Sequence, residues 1–294
     1  MNRVFVLILI FLHLCAPAFF EPWGIVFSGG GGKGAYEVGV YKALCERGIA
    51  QRALALSGSS VGALNSALFV CEGIEKAEEI WRTIVPDELT KDDSLISQEG
   101  LSEIVESVNV SRLKNLASPD VYVTTVRSRL FILKLLTATP GSYAHRFLLN
   151  ASESEDEIRR LLLATSAFPI LTDPVILSDG HRHEDGGNEA MGGDNTPIFP
   201  IIEEHPEVKK IIVVYLEHQP SRRIRAIDYE QIELVEIIPK IDLGGILEGT
   251  ANFTSERINL LIRQGYEDAS WILEQKGIKS VAPWWFEDVS EVKK

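Results

Sequence analysis

Basic residues are in short supply. Lysine and arginine total 29 against 42 aspartates and glutamates, a formal charge of −13, and a surface that tracks a phosphate backbone needs the reverse balance. Nucleic acid is thereby set aside as a partner, and so is docking on an anionic membrane by charge alone; a local apolar rim is still free to meet lipid. Cysteine is scarcer. Of the three, Cys15 sits near the start and Cys45 and Cys71 lie in apolar, helix-like stretches, so there is no disulfide framework and two buried thiols are expected. Low-complexity tracts and internal repeats are absent, and 45% hydrophobic with 24% charged residues is a globular composition. Metal ligands are thin as well: His181 and His183 alternate in HRHED without a third ligand, which reads as a solvated strand end. No metal and no organic cofactor is implied.

Long apolar runs are confined to the N-terminus. Residues 1–18, MNRVFVLILIFLHLCAPA, combine a basic Arg3, an apolar stretch from Val4 to Leu14 and the small-x-small pattern Ala16-Pro17-Ala18, so a cleaved signal peptide and export to a periplasmic, cell-surface or secreted location are expected. The alternative is an uncleaved anchor, since the run extends to Phe20. Leu14 is a poor match to a lipoprotein signal at Cys15. Asn-x-Ser/Thr triplets begin at Asn109, Asn150 and Asn252 and would matter only in a glycosylating host.

Past that segment, strand-like runs (WGIVFS, ALALSG, DVYVTTVR, AHRFLLN, KKIIVVYLE, IELVEII) alternate with helix-like ones (AYEVGVYKALCERG, VGALNSALFVCEG, SEDEIRRLLLATSAFP), the last opened by an acidic first turn. Such alternation predicts a three-layer α/β/α fold with a mainly parallel sheet. One domain is expected over 24–276, with a final helix from Leu243 to about Gln275 and a tail at 277–294. From Pro86 to about Pro119 the chain is polar and irregular, a cap over a site or a solvated excursion. Trp284-Trp285-Phe286 would close a core or touch lipid, and Glu203-Glu204 reads as a solvated helix face.

Between the first strand and first helix stands FSGGGGKGA, Phe27 to Ala35, a loop whose bare backbone N–H groups suit an anion. A P-loop fails at two positions, because Gly34 follows Lys33 and Phe27 precedes Gly32 by five. A dinucleotide loop is satisfied by Gly29, Gly31 and Gly34, but the second strand lacks the acid that holds a ribose. It ends instead in Gly58-Ser59-Ser60-Val61-Gly62. Gly58-x-Ser60-x-Gly62 between strand and helix is a nucleophile elbow that lifts the Ser60 hydroxyl above the sheet edge. The anion is then the oxyanion of acyl transfer, held by the neighbouring glycine loop. No histidine follows the serine in a convincing triad order; His218 after VVYLE is the nearest. Asp185, in Glu184-Asp185-Gly186-Gly187, is the sharper candidate base.

Gly29-Gly30-Gly31-Gly32-Lys33-Gly34, Gly58-Ser59-Ser60-Val61-Gly62 and Asp185-Gly186-Gly187, in that order, resemble the three motifs of the patatin-like phospholipases. AEEIW at Ala77, ATSAFP at Ala164 and DNTPI at Asp194 are further family-like pieces. The resemblance implies a Ser60–Asp185 dyad without histidine and an oxyanion hole among Gly29, Gly30, Gly31 and Gly32. Gly34, Gly58, Gly62, Gly186 and Gly187 support the motifs, and Lys33 steadies the loop. NEAMGGD, between Gly187 and Asn195, is longer than the family's usual link and leaves Asp194 as a second candidate acid. A free carboxylate is a weak base, so burial would have to raise the pKa of Asp185. The implied function is lipid acyl-ester hydrolysis through an acyl-enzyme, with lipid as partner. Transfer of the acyl group to an alcohol, or lipid binding without catalysis, are the alternatives.

Overall fold

Side chains alternate across a strand, so a strand covered on both faces must be apolar at every position. β1 (Trp23–Phe27) meets that demand. Its Ile25 and Phe27 join one core with Leu56, Val123 and Val214, while its Val26 joins a second core with Ala55, Tyr122 and Val213. This is a computed structural model, and the residues it describes are 21–90, 97–115, 118–128, 136–168, 172–220, 223–224, 229 and 231–280. The signal-peptide reading and Trp284-Trp285-Phe286 lie outside them.

β2 (Ala53–Ser59), β3 (Asp120–Arg127), β7 (Lys210–Val214) and β8 (Glu233–Ile237) complete a parallel block in the order β8-β7-β1-β2-β3. The sheet is mainly parallel, as expected, and its far edge is antiparallel. β4 (Ala144–Leu148) and β6 (Arg182–Asp185) both run antiparallel to β3, and β5 (Val175–Ile176) antiparallel to β6. Only five residues join β5 to β6, too few for the crossover that parallel neighbours need.

The two faces are covered unequally. α1 (Ala35–Glu46), α2 (Val61–Glu79, broken at Gly73), α5 (Glu155–Thr165) and α7 (Ser255–Gln275) share the larger core, and α6 (Phe199–Glu204) brings Ile201 to the smaller. Ser154 caps α5 by accepting from the Glu157 N–H at 3.2 Å, with Glu155, Asp156 and Glu157 in the first turn. The last helix begins at Ser255, capped by Thr254, and not at Leu243. Gly244, at φ +85°, interrupts the helical path, and Ile246–Thr250 forms a π-type turn.

The polar stretch after Pro86 is no solvated excursion. α3 (Val85–Leu89) and α4 (Gln98–Ser107) bury Leu89, Leu101 and Val105 in the larger core. HRHED is not a solvated strand end at its second histidine. His183 is fully buried in β6, its Nδ1 2.7 Å from Thr125 Oγ1 and its Nε2 3.1 Å from Asp179 Oδ2. Both ring nitrogens are thus satisfied inside the fold, whereas His181 precedes the strand. Among the described residues no group of three or more His, Cys, Asp or Glu could hold a metal ion. Glu203 and Glu204 are exposed on α6, as expected. Among the described residues no helix is long and apolar enough to cross a membrane.

Candidate active site

β2 ends at Ser59 and α2 begins at Val61, so a single residue makes the turn from strand to helix. That residue is Ser60, at φ +54° and ψ −131°, the one non-glycine with positive φ among the described residues. Such a conformation costs on the order of 1–3 kcal/mol and persists only where the surroundings impose it. The flanking glycines explain how they do so. A Cβ on Gly58 would lie 2.4 Å from the Gly62 carbonyl carbon, and one on Gly62 would lie 2.5 Å from the Phe27 oxygen. Behind the turn, the Ser60 N–H donates to Thr165 Oγ1 at 3.0 Å, and the Thr165 hydroxyl donates to the Thr124 carbonyl at 2.6 Å.

Strand register brings the acid to the serine. β2 and β4 both pair with Tyr122–Thr124 and so lie on opposite edges of β3. β4 and β6 both pair with Thr125 and Val126, which puts β6 on the β2 edge. The two strands therefore approach each other end to end, with Ser59 opposite Thr124 and Asp185 opposite Thr125. Asp185 is 4% exposed, and burial pushes its carboxyl up to about 6, against the smaller opposing pull of the Ser60 hydroxyl and the Gly187 N–H. The neighbouring Glu184 adds a weaker upward push. Oδ1 accepts from the Gly187 N–H at 2.7 Å, which fixes the carboxylate plane.

The glycine loop is held from two sides. Asn195 clips Gly29, its Oδ1 accepting from the Gly29 N–H at 2.9 Å and its Nδ2 donating to the Gly29 carbonyl at 3.4 Å. The 246–250 turn backs the other side, where a Cβ on Gly31 (φ +57°) would lie 2.3 Å from the Thr250 oxygen. Among the described residues no acceptor takes the N–H of Gly30 or Gly31, and both line a cavity with Ser60 and Asp185. Gly29 also lines it, but its N–H is committed to Asn195; Gly32 is buried away from it. Lys33 and Gly187 reach the cavity, while Gly34, Gly58, Gly62 and Gly186 do their work behind it. Burial lowers the Lys33 pKa against the nearby charges of Glu217 and Asp242.

The cavity measures about 640 Å³ and is mostly apolar, within the range of small-molecule sites. Leu64, Leu68 and Trp81 form one wall, and Leu101, Ile104 and Val105 of the 86–119 segment form another. Asp194, the second candidate acid, does not line it. That residue is buried, its carbonyl accepts from Ser59 Oγ at 2.6 Å, and its N–H donates to the Gly186 carbonyl at 2.8 Å. His218 is also off the cavity, with Nδ1 2.7 Å from the Pro239 carbonyl.

Residues 25–202, more than half of the chain, match the family profile described as patatin-like phospholipase. The chain belongs to the patatin-like phospholipase family. Membership implies lipid ester hydrolase activity with a lipid as substrate. No curated protein matches this patatin-like chain. Among solved structures, VipD from Legionella pneumophila aligns at a TM-score of 0.55 and 14% identity, over 87% of this chain and 67% of that one, and so shares its fold. The type III effector ExoU aligns at a TM-score of 0.41 and 17% identity over 88% of this chain, which spans only about half (54%) of that one.

Two residues of this patatin-like site were given no role from sequence. Thr165 and Asn195 lie inside ATSAFP and DNTPI, pieces that stood out as family-like while their work depended on contacts 105 and 166 residues away. The long NEAMGGD link also finds a use. It loops out through a 3-10 turn, Glu189–Met191, lines the cavity with Met191, and returns to place Asn195 against Gly29.

Proposed function

We propose that the chain hydrolyses fatty-acyl esters of phospholipids or related lipids with Ser60 as nucleophile and Asp185 as general base. The observation that carries this reading is the desolvated Asp185 carboxylate meeting the strained Ser60 at the end of β2, inside an apolar cavity. Ser60 Oγ attacks the acyl carbonyl as its proton passes to Asp185. The carbonyl oxygen takes the negative charge and accepts from the Gly30 and Gly31 N–H groups. Collapse expels the alcohol, which takes the proton from Asp185, leaving an acyl ester on Ser60. Water, deprotonated by Asp185, then attacks that ester, and the fatty acid leaves as Ser60 recovers its proton. The oxyanion donors are worth about 10²–10³-fold in rate each. A base with a pKa near 6 is better matched to this task at neutral pH than an ordinary aspartate.

Treatment of the protein, Ser60→Ala and Asp185→Asn with a fluorophosphonate, alongside fatty-acid release from phospholipid and triglyceride micelles, tests this reading. Labelling and release are expected in the wild type alone. Labelling that survives in Ser60→Ala would assign the nucleophile elsewhere, and a wild type that neither labels nor releases acid would leave a lipid-binding protein. The same proposal has residues 1–18 removed on export, so the mature protein isolated from its own host would begin at Phe19; an intact Met1 in mass spectrometry would refute that part.

A further inference from the structure

Most large apolar side chains of the described residues are buried, but the turn between β8 and α7 breaks the pattern twice in succession. Ile246 and Leu247 are 65% and 66% exposed. Ile246 also belongs to the cavity wall, as does Phe168, 37% exposed past the end of α5. The apolar lining of the cavity therefore reaches solvent at Ile246 and Phe168, and Leu247 extends it by one exposed neighbour in the chain. The other side of the turn is packed without slack on the glycine loop, where the Thr250 oxygen occupies the space a Gly31 side chain would need and the oxygens of Asn252 and Gly249 do the same at Gly32.

From this placement we infer that the 246–250 turn is a lipid-docking element that seats the cavity mouth on an uncharged or zwitterionic lipid surface. The lipid-hydrolase reading enters only in the choice of partner. Charge decides the kind of surface. The chain carries −13 overall, and near the mouth Glu248 in the turn itself, Asp242 and Glu217 outnumber the cations Lys33 and Arg257. An anionic leaflet repels this face, so attraction comes from apolar side chains entering the interface. Leu247, exposed and outside the cavity lining, is the side chain free to enter lipid whole, and burying one leucine is worth roughly 10-fold or more in partitioning. Because the turn backs the glycine loop directly, docking also sets the depth of Gly30 and Gly31 below the headgroups.

Co-sedimentation with phosphatidylcholine vesicles tests the inference, using the mature chain from Phe19, without the apolar run of residues 1–18, carrying Ser60→Ala so that the vesicles stay intact. Binding is expected, weakened by admixture of phosphatidylglycerol, lost at least 10-fold in Leu247→Asp and kept in Leu247→Trp. In the Ser60 background, Leu247→Asp is expected to hydrolyse a soluble butyrate ester at the wild-type rate while losing activity on vesicle phospholipid. Unchanged vesicle binding by Leu247→Asp would overturn the inference, as would binding that requires phosphatidylglycerol or failure of Leu247→Trp to bind. A wild type that elutes as a dimer and a Leu247→Asp that elutes as a monomer would overturn it by assigning the face to a second copy. Vesicle binding that follows these expectations while no ester is cleaved would leave docking intact and refute the hydrolase reading alone.

Discussion

At the scale of single residues, the site is assembled from groups held where they are least comfortable. Asp185 is the clearest case. Its carboxyl is pushed up to about 6 by burial, so the fraction able to act as base grows as pH rises through that value. With a soluble ester, kcat/KM is expected to climb about tenfold per pH unit below 6 and to level off above it; a profile flat from pH 5 to 8 would dismiss Asp185 as the titrating base. The same shift predicts a stability effect of definite sign. A carboxyl whose pKa is higher folded than unfolded favours folding while protonated, and that contribution is lost as pH rises from about 4 through about 6. Asp185→Asn, which never ionises, should therefore melt near the wild-type temperature at pH 4. Above pH 7 it should be more stable by on the order of 1–3 kcal/mol, as thermal unfolding across pH would show. Ser60 offers a parallel test. Its backbone at φ +54° and ψ −131° suits glycine alone, so Ser60→Gly should exceed Ser60→Ala in stability by about 1 kcal/mol, measured by urea denaturation. Equal midpoints would mean the turn carries no strain.

At the scale of elements, what was legible in the sequence is what the backbone itself demands. Gly58 and Gly62 flank Ser60 because no Cβ fits at either place, and a constraint of that kind writes itself into neighbouring letters. The glycine loop and Asp185-Gly186-Gly187 could be read for the same reason. Thr165 and Asn195 could not be given roles, because a hydroxyl at the end of α5 and an amide after a loop acquire meaning only once β3 and β6 bring them to Ser60 and Gly29. The boundary of the last helix failed differently. Apolar periodicity runs on through Ile246 and Leu247, but those residues face solvent and the helix starts after Thr254. The Thr165 hydroxyl joins three elements, so it is the sharpest element-scale test. Thr165→Val removes the acceptor of the Ser60 N–H and the donor to Thr124, and should cost about 1–3 kcal/mol of stability and at least 10-fold in kcat. Thr165→Ser, which keeps both bonds, should recover most of each. If the valine variant turned over normally, the elbow would not depend on this prop.

Across the whole molecule, the unequal covering of the sheet decides where substrate can lie. The smaller core is closed by α6 and the residues beside it, whereas the larger is thick enough to enclose a cavity between α2 and the α3–α4 segment without opening the sheet. That segment, polar and irregular as sequence, thus supplies half of an apolar chamber, with its outward positions polar and Leu101, Ile104 and Val105 facing in. A chamber shared between a core helix and an inserted one measures chain length by how far apart they stand. Ile104 is half-buried on α4 and lines the chamber, so Ile104→Trp should fill part of it, at about the usual 1–3 kcal/mol of an enlarged apolar side chain. Its effect should depend on the acyl chain. With a series of soluble esters, kcat/KM for butyrate should stay within about twofold of wild type while that for long-chain substrates falls at least 10-fold, because only the latter reach the α4 wall. Long-chain turnover that stays at the wild-type level would instead mean that the acyl chain lies along the surface and that the chamber between α2 and α4 is not where it binds.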